Sequence, residues 1–307
     1  MTAQVLCIGD VMLDVITKIS VMPDEIHYGS DTSAEISTHG GGAAGNVAAW
    51  LTRTDARATI VGHVGDDLAG SAIVTEFNAL GVRHNNLVID NGRSGVVVVL
   101  VDPTGERTMF PDNGANSGLK LNDLPALHDF NAVYLSGYSP LDPLSLPGIK
   151  EMIARIHLKA IPIYFDPASV GGMMAVDIEE VKSWISLMDV ILLNEEEANF
   201  LTGEADMHRA LDILLERVKV VVIKRGAQGA LGKSRDGSAV EVSAVKTKVV
   251  DTTGAGDSFV GSFAYSLASG KDPVAAMSFG IKVASLSVTR KGAQSSYPDQ
   301  AEIATLS

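Results

Sequence analysis

The sequence has a single cysteine, few aromatic residues and no long apolar run, and each shortage excludes a class of protein. Cys7 is the only cysteine among 307 residues, so an intrachain disulfide and a cysteine-based zinc site are both excluded. Its place in the apolar segment VLCIG predicts a buried, reduced thiol, as expected of a cytoplasmic protein. No apolar stretch approaches the roughly 20 residues that span a bilayer, and Asp10 interrupts the first short one, so we expect neither a membrane helix nor a signal peptide.

Basic residues are also scarce. The chain has 24 lysines and arginines against 37 acidic residues, which gives a net charge of −13, and no local basic patch offsets this balance. An acidic surface repels polyanions, so nucleic acid is excluded as a partner.

Short β-branched segments recur along the chain and alternate with segments of helical spacing. Buried strands are predicted at 5–9, 59–64, 132–137, 162–167, 190–195 and 220–226. The alternation predicts an α/β fold with a mostly parallel central sheet and helices on both faces, a Rossmann-like three-layer arrangement. Four of these segments end in a polar residue, at Ser136, Asp166, Asn194 and Lys224. Because ligands of open α/β sheets bind beyond the carboxyl ends of the strands, we expect the site at that edge.

Two pairs of segments interrupt the alternation because no helix separates them. Residues 11–19 with 32–38, and residues 94–110 with the turn DPTGE, have the pattern of β-hairpins. They predict a small second sheet that covers the cleft as a lid, with extra edge strands of the main sheet as the alternative. We therefore predict one domain over 1–307, with a core of 1–11, 39–94 and 114–307 and a lid of 12–38 and 95–113.

The segment HGGGAAGNVAAWL matches the dinucleotide fingerprint G-x-G-x-x-G, and Asp66 follows at the expected spacing. The match is weak, because the preceding segment TSAEIST alternates polar and apolar residues and does not resemble a buried first strand. An NAD site, tight helix packing, and close approach of the backbone to a ligand all remain open. In the last case, Asn46 can cap the helix or offer its amide to a hydroxyl group.

The segment AQGALGKS resembles a phosphate-binding P-loop but departs from it. Ala227 stands where the motif requires its first glycine, and the following RDGSAVEV predicts a turn and a return strand. Lys233 is therefore expected on a hairpin. The preceding KRGAQG has the character of a strand end that turns on glycine, which is suited to lying beside a nucleotide.

The segment DTTGAGDSF is the most informative in the chain. A glycine turn that leads into a helix presents unpaired N–H groups and the positive end of the helix dipole, which bind an anion such as a phosphoryl group. Asp257 stands on the first turn of that helix and can accept a proton from a substrate hydroxyl. One turn thus predicts both an anion cradle and a base.

Taken together, these motifs resemble the ribokinase-like, PfkB-type carbohydrate kinases over nearly the whole chain. GGGAAGNVAAWL with the following VGHVGDD resembles the first family signature, and DTTGAGDSFVGSF resembles the second. NEEE, at 194–197, is similar to the family motif N-x-x-E. The resemblance implies ATP- and Mg²⁺-dependent phosphorylation of a hydroxyl group on a small sugar or sugar-like substrate.

The resemblance also implies roles for individual residues. It assigns Asp257 as the base and Gly254, Ala255 and Gly256 as the anion hole, and it assigns Glu197 to the magnesium ion through water. Substrate hydroxyls would be bound by Asp14, Gly41, Gly42 and Asn46, and ATP by Asn194, Glu197, Lys224, Gly226 and Gly229. A potassium loop would include Asp251, Thr253, Ser287, Arg290, Gly292 and Ser296.

Two departures from the family pattern leave the substrate open. Lys224 stands where many relatives have threonine, and Gly137 and Tyr138 stand where ribokinase offers a glutamate to its sugar. A nucleoside, including pseudouridine, is therefore an alternative acceptor. A sugar-phosphate acceptor would need basic lid residues, for which Lys18 and Arg107 are the candidates.

Three further hypotheses accompany this prediction. The rival enzyme is an NAD-dependent oxidoreductase, and the non-enzymatic rival is a sugar-binding protein that has lost catalysis. We also expect a homodimer that pairs through the lid, because the segment VVVVLV predicts an exposed apolar sheet face.

Overall fold

Strands and helices alternate along the chain in the predicted α/β order. The structure is a computed structural model, and it describes residues 2–167, 169–252, 254–290, 298 and 300–305. The strands are β1 (Gln4–Ile8), β2 (Met12–Ile19), β3 (Ala34–Gly41), β4 (Arg57–Gly65), β5 (Arg83–Asp90), β6 (Gly95–Val101), β7 (Arg107–Asp112), β8 (Ala132–Ser136), β9 (Ile163–Asp166), β10 (Val190–Asn194), β11 (Val220–Lys224), β12 (Ala230–Ser234) and β13 (Val240–Val242). The α-helices are α1 (Ala43–Thr52), α2 (Leu68–Leu80), α3 (Tyr138–Leu141), α4 (Leu146–His157), α5 (Val170–Met173), α6 (Ile178–Ile185), α7 (Glu195–Thr202), α8 (Met207–Leu215), α9 (Ala255–Ala268), α10 (Pro273–Ser287) and α11 (Gln300–Ala304).

A nine-stranded sheet forms the centre of the molecule, in the order β13-β12-β11-β10-β9-β8-β1-β4-β5. The pairs from β11 through β1 to β5 are parallel, whereas β12 and β13 pair antiparallel at one edge. The strand order reverses at β1, which has β4 on one side and β8 on the other. Such a reversal opens a crevice at the carboxyl ends of the strands, where α/β proteins bind ligands.

Two apolar cores cover the two faces of this sheet. Leu6 and Ile8 of β1 contribute to one core, and their neighbours Val5 and Cys7 contribute to the other. Because successive side chains of a strand point to opposite faces, this division shows that helices cover both faces. Cys7 is fully buried and unpaired, and burial raises the pKa of its thiol far above its usual value. The prediction of a three-layer fold is confirmed.

A second, four-stranded sheet has the order β3-β2-β6-β7. The hairpins β2–β3 and β6–β7 are antiparallel, as predicted, and they join through a parallel pairing of β2 with β6. β2 follows β1, and β6 follows β5, so the small sheet leaves the main sheet from its carboxyl edge. The predicted lid sheet is thus present, and β3 extends to Gly41, three residues beyond the predicted lid segment 12–38.

Strand β5 was absent from the prediction, whereas the hairpin after β11 agrees with it. β5 has the sequence RHNNLVID and lies at the edge of the sheet, where exposed polar residues replace a continuous apolar run. Lys233 lies on β12 and pairs with Asp212, so it opens no helix. Among the described residues there is no helix with the length and apolarity that crossing a bilayer requires.

Asn116 fixes the junction between β1 and the lid. The backbone amide of Val11 donates to Asn116 Oδ1 at 2.8 Å, and Asn116 Nδ2 donates to the Val11 carbonyl oxygen at 2.8 Å. The same Nδ2 also donates to the Asn113 carbonyl at 3.1 Å. One side chain therefore ties the chain entering the lid to the chain leaving it.

We expect Asn116→Ala to lower the free energy of unfolding by about 1–3 kcal/mol, because it leaves the partly buried Val11 backbone groups without partners. Urea denaturation followed by circular dichroism measures this loss. Asn113→Ala is the matched control, since the Asn113 side chain is exposed. Equal stability of the two variants would contradict the role assigned to the Asn116 amide.

Candidate active site

Helix α9 begins directly after Gly254, where the sequence predicts an anion-binding turn. Gly254 has a φ of 72°, a left-handed conformation that favours glycine. The Ala255 amide donates to the Thr252 carbonyl oxygen at 3.2 Å, so this amide already has a partner within the protein. Gly256 and Asp257 follow in the first turn, where N–H groups lack helical partners. The turn therefore offers these amides and the positive end of the helix dipole to an anion.

Asp257 connects α9 to α1 through Asn46. The Asn46 side-chain amide donates to Asp257 Oδ2 at 2.8 Å, and Asn46 is only 8% exposed. Burial raises the pKa of the Asp257 carboxyl to about 7; the Asn46 hydrogen bond and the Lys224 charge oppose the shift, and the Asp166 charge adds to it. A carboxyl group with such a pKa can accept a proton near neutral pH.

Asp14 lies on the lid strand β2 and contacts the glycine turn before α1. A Cβ atom at Gly41 would stand 2.2 Å from Asp14 Oδ1, so glycine is required for the carboxylate to lie there. Burial and the charges of Asp10 and Glu76 raise the pKa of Asp14 to about 6. The start of α1 thus brings together the predicted substrate-binding residues Asp14, Gly41, Gly42 and Asn46.

Asp10 follows β1 and fixes the same turn, although the sequence analysis gave it no role. Its Oδ1 accepts from Ser136 Oγ at 2.6 Å, and its Oδ2 accepts from the Ala43 amide at 2.7 Å. Burial raises the pKa of the Asp10 carboxyl, and these hydrogen bonds oppose the rise. The signal that could have revealed Asp10 is its position, since it is an acid directly beyond the central strand.

Lys224 ends β11 and pairs with Asp166, which ends β9. Lys224 Nζ lies 2.6 Å from Asp166 Oδ2. Burial lowers the pKa of Lys224, but the charges of Asp166 and Glu197 outweigh burial, and the pKa is raised. The ammonium group is therefore charged, and it lies 3.9 Å from where a Cβ of Gly256 would stand. A positive charge thus lies beside the predicted anion turn.

Glu197 and Asn194 cap the start of α7. The backbone amide of Asn194 donates to Glu197 Oε2 at 2.8 Å, and the backbone amide of Glu197 donates to Asn194 Oδ1 at 2.9 Å. Burial and the Asp166 charge raise the pKa of Glu197 to about 7, and the Lys224 charge opposes this. One Glu197 oxygen is thus used by the cap, while its charge interacts with the Lys224–Asp166 pair.

A cavity of about 690 Å³ opens next to the anion turn. Lys224, Gly226 and Gly229 of the predicted ATP site line it, together with Thr252, Ala255 and Gly256. Its remaining walls are largely apolar, with Phe259, Ile281, Val245, Val249 and Val288 among the lining residues. The cavity can enclose the flat apolar group of a ligand, while the polar end of the same ligand contacts the turn.

The predicted potassium loop is only partly described. Thr253, Gly292 and Ser296 lie outside the described residues. The Asp251 carboxylate pairs with Arg107 at 3.4 Å, and Arg290 pairs with Glu302. The Ser287 hydroxyl is buried 3.1 Å from the Ser258 hydroxyl. A cation at this loop stays a prediction.

The dinucleotide hypothesis lacks the structural context that it requires. The strand before the glycines is β3, which pairs antiparallel with β2 in the lid sheet. The fingerprint instead needs the first strand of a parallel βαβ unit. The glycines serve the turn that contacts Asp14 and Asp10.

Comparison with known proteins agrees with this geometry. Residues 2–300 match the pfkB family carbohydrate kinase model. The chain belongs to this family. It is 30% identical to a ribokinase of Schizosaccharomyces pombe over 98% of this chain and 96% of that protein. It is 28% identical to a deoxyribokinase of Salmonella typhi over 95% of this chain and 94% of that protein.

A solved structure gives the same result for the fold. The structure of Arabidopsis thaliana ribokinase complexed with ribose and ATP superimposes with a TM-score of 0.85 at 25% identity, and it covers 100% of this chain and 99% of that chain. The predicted family, fold and enzyme class are confirmed: the protein is an ATP-dependent sugar kinase of the pfkB family.

Proposed function

We propose that Asp257 is the base of this kinase and that the turn at 254–256 binds the transferred phosphoryl group. The observation that carries the proposal is the position of a carboxyl group, with a pKa of about 7, on the first turn of α9 next to the Gly256 amide. In the reaction, the acceptor oxygen bonds to the γ-phosphorus of ATP as the bond to the bridging oxygen breaks. The acceptor proton passes to Asp257, and ADP leaves with the bridging oxygen.

A neutral acceptor is the one that this site favours. Asp14, Asp10 and Glu76 place three acidic groups on the acceptor side, and the charges of Asp10 and Glu76 already raise the pKa of Asp14. A sugar phosphate would add negative charge there. Of the two lid candidates for binding it, Arg107 contacts Asp251 and Thr252, and Thr252 lines the cavity beside the anion turn and not the acidic acceptor surface. We therefore propose that Asp14, the 41–42 turn and Asn46 bind the hydroxyl groups of an unphosphorylated sugar.

The cavity beside the turn suits ATP. Its volume of about 690 Å³ falls within the range of ligand pockets, and its apolar walls suit an adenine base. Lys224 lines this cavity beside Gly256 of the anion turn, so its ammonium can contact a phosphate. We propose that Asn194, Gly226 and Gly229 contribute to the same site.

The acidic groups near Lys224 fit a magnesium ion that accompanies ATP. In proteins, Mg²⁺ keeps several water ligands and is bound by one or two carboxylates together with substrate phosphates. The Asp166 and Glu197 carboxyl groups lie close enough for the Asp166 charge to act on the pKa of Glu197. The described residues include no cluster of three or more acidic, histidine or cysteine side chains that would hold a metal unaided. We propose that Glu197, through water, and Asp166 hold the ion, which neutralises phosphate charge. Potassium at the loop of Asp251 and Ser287 stays part of the proposal.

Tyr138 favours a nucleoside as the alternative acceptor. It is 43% exposed, and the charges of Asp10, Asp166 and Asp257 act on its hydroxyl, so the ring stands beside the site. An aromatic ring offers a stacking surface in place of a carboxylate that binds hydroxyl groups. Acceptors with a planar or apolar group would gain from this ring.

We further propose that two copies pair through the outer face of the lid sheet. Val15, Val98 and Phe110 are cross-strand neighbours on the face opposite Asp14, and Val98 and Phe110 are exposed. Ile36, also exposed, lies on the same face in the adjoining row. Apolar rows on a sheet face are typical of an interface between copies.

A cytoplasmic location is also proposed, with the buried, unpaired Cys7 in support.

Asp257→Asn should lower kcat by about 10³-fold or more, because the variant lacks the base. The same variant should unfold at a higher temperature than the parent protein at pH 8. The Asp257 carboxyl has a pKa of 3.8 when unfolded and about 7 when folded, so its stabilising contribution is complete below pH 3.8 and is lost as pH rises through 7. The neutral amide avoids that loss, which we expect to be on the order of 1–3 kcal/mol.

The measurements are steady-state kinetics and thermal unfolding from pH 4 to pH 8. The stability gain of Asp257→Asn should grow across this range and level off above pH 7. Asp31→Asn, a change at an exposed acid, is the control and should alter neither quantity. Turnover at the parent rate would refute the base assignment, and a gain independent of pH would contradict the effect of burial.

An ADP-release screen over pentoses, hexoses, sugar acids, nucleosides and sugar phosphates tests the acceptor class. We expect ADP release to require an unphosphorylated acceptor, and to be faster in potassium chloride than in sodium chloride of equal concentration. A nucleoside with the highest kcat/KM would favour the Tyr138 alternative. A sugar phosphate as the best acceptor would contradict the charge argument.

Phe110→Asp should convert the dimer to a monomer, because it introduces a charge into the proposed interface. Sedimentation equilibrium measures the mass of each species. Met109→Asp is the matched control, since Met109 is 58% exposed against 56% for Phe110 but lies on the opposite face of β7. A monomeric parent, or a dimer that survives Phe110→Asp, would rule out this interface.

A further inference from the structure

Arg107 reaches from the lid to the loop that precedes the anion turn. Its Nη2 donates to Thr252 Oγ1 at 2.9 Å and lies 3.4 Å from Asp251 Oδ1. Both contacts join strand β7 of the small sheet to a loop of the core, across 144 or 145 residues of sequence. The guanidinium is about three-quarters covered, with 24% of its side chain exposed. The ion pair with Asp251 is therefore part-buried and not a fully exposed surface pair.

The hairpin turn before β7 holds Arg107 in this direction. Asp102 Oδ1 accepts from the Thr104 amide at 2.8 Å, from the Thr104 hydroxyl at 2.6 Å and from the Glu106 amide at 3.0 Å. Arg107 pairs with Val101, and Val101 pairs with Lys18, which shares a strand face with Asp14. Arg107 thus projects from the cleft side of the lid.

The guanidinium contacts a residue that lines the cavity we assign to ATP. Thr252, which it contacts, lines that cavity together with Gly256 and Lys224. The Thr252 carbonyl oxygen also accepts a hydrogen bond from the Ala255 amide. Arg107 therefore contacts a residue that is itself bonded to the anion turn. Lys224, on the main sheet, lies beside Gly256 of the turn, and Arg107, on the lid, contacts Thr252, two residues before Gly254.

The contacts with the loop leave part of the guanidinium available. Both are made by Nη2, and within the described part of the chain Nε and Nη1 of Arg107 have no protein acceptor. The N–H groups of Nε and Nη1 can therefore each donate to a phosphate oxygen, and the whole guanidinium carries the positive charge. In phosphoryl transfer, a positive charge at the transferred group stabilises the charge that develops on its oxygens.

We propose that Arg107 binds the γ-phosphate of ATP from the lid and stabilises it during transfer, as a further catalytic residue. This inference rests on the proposed function, because it takes the cavity as the ATP site. Arg107 forms no covalent bond and exchanges no proton; it contacts oxygens that remain on the transferred phosphorus. Since the arginine belongs to the lid, the charge reaches the phosphate only when the lid lies over the cleft, which links acceptor enclosure to transfer.

Binding of two nucleotides tests the inference without any acceptor. Calorimetric titration of Arg107→Gln with the β,γ-methylene analogue of ATP should show an affinity at least about tenfold below that of the parent, the effect of losing a charge-assisted contact. Affinity for ADP, which has no γ-phosphate, should be unchanged. With the acceptor found in the screen, kcat should fall by about 10²-fold at an unchanged KM for the acceptor.

Arg93→Gln is the matched control. Arg93 also pairs with a lid acid, Asp112, but its side chain is 79% exposed, so this variant should bind both nucleotides as the parent does. Arg107→Lys keeps a positive charge but has fewer N–H donors, so its affinity for the ATP analogue should lie between those of the parent and of Arg107→Gln. It also keeps the test open if the glutamine variant fails to fold.

Three results would overturn the inference. Equal weakening of the ATP analogue and ADP would mean that Arg107 serves only the closure of the lid. No change for either nucleotide would mean that the guanidinium keeps its contacts with Asp251 and Thr252 throughout. If the parent protein binds neither nucleotide, the proposed function fails as well, and this result is distinct from the first two.

Discussion

The part-buried ion pair between Lys224 and Asp166 is the interaction that acts on both ionisable carboxyl groups of the site. The Asp166 charge raises the pKa of both Asp257 and Glu197, and the Lys224 charge lowers both. Loss of either partner would leave the other charge buried and uncompensated, which costs more than the pair itself contributes. Burial is the largest cause of the raised pKa values of Asp257 and Glu197, and the two charges of the pair act on them in opposite directions, so that both pKa values are about 7.

The site divides into two halves with different chemistry. On the acceptor side, Asp10 fixes the glycine turn and Asp14 lies against Gly41, which gives a polar, acidic surface under the lid. On the other side, apolar residues such as Phe259 and Ile281 line the large cavity. The first turn of α9 stands between the halves. A ligand on the acceptor side and a ligand in the cavity can therefore meet at this turn. This is the place where a group can pass from one ligand to the other over the shortest distance.

The sequence predicted the local features of this molecule better than the long-range ones. Periodicity identified the strands that are continuously apolar, but β5, an edge strand with the polar run RHNN, has no such signal. Hairpin signals identified the two halves of the lid, whereas the parallel pairing of β2 with β6 joins segments about 80 residues apart and leaves no local trace. Prediction succeeded where the cause lies within a few residues.

The same distinction applies to the site. Asp257 is recognisable because the glycines and the helix start are its direct neighbours. Asp10 and Asp166 are single acids after strands, and their importance comes from partners 33 to 126 residues away. The contact of Arg107 with Thr252 depends on the height of the lid over the core, which no motif encodes. Side chains whose role comes from a distant partner thus need a structure to be found.

The central position of β1 has a consequence for how the chain folds. Its neighbours β4 and β8 begin about 50 and 130 residues further on, and the whole of β2 and β3 intervenes before β4. Such distant pairings carry a high loop-closure entropy, so topologies of this kind form slowly. The crevice at the end of β1 can exist only after both flanking strands have docked. During synthesis the nascent chain therefore has no crevice at β1 until β8 has emerged, and the cavity that we assign to ATP, lined by residues from Lys224 to Val288, can form only later.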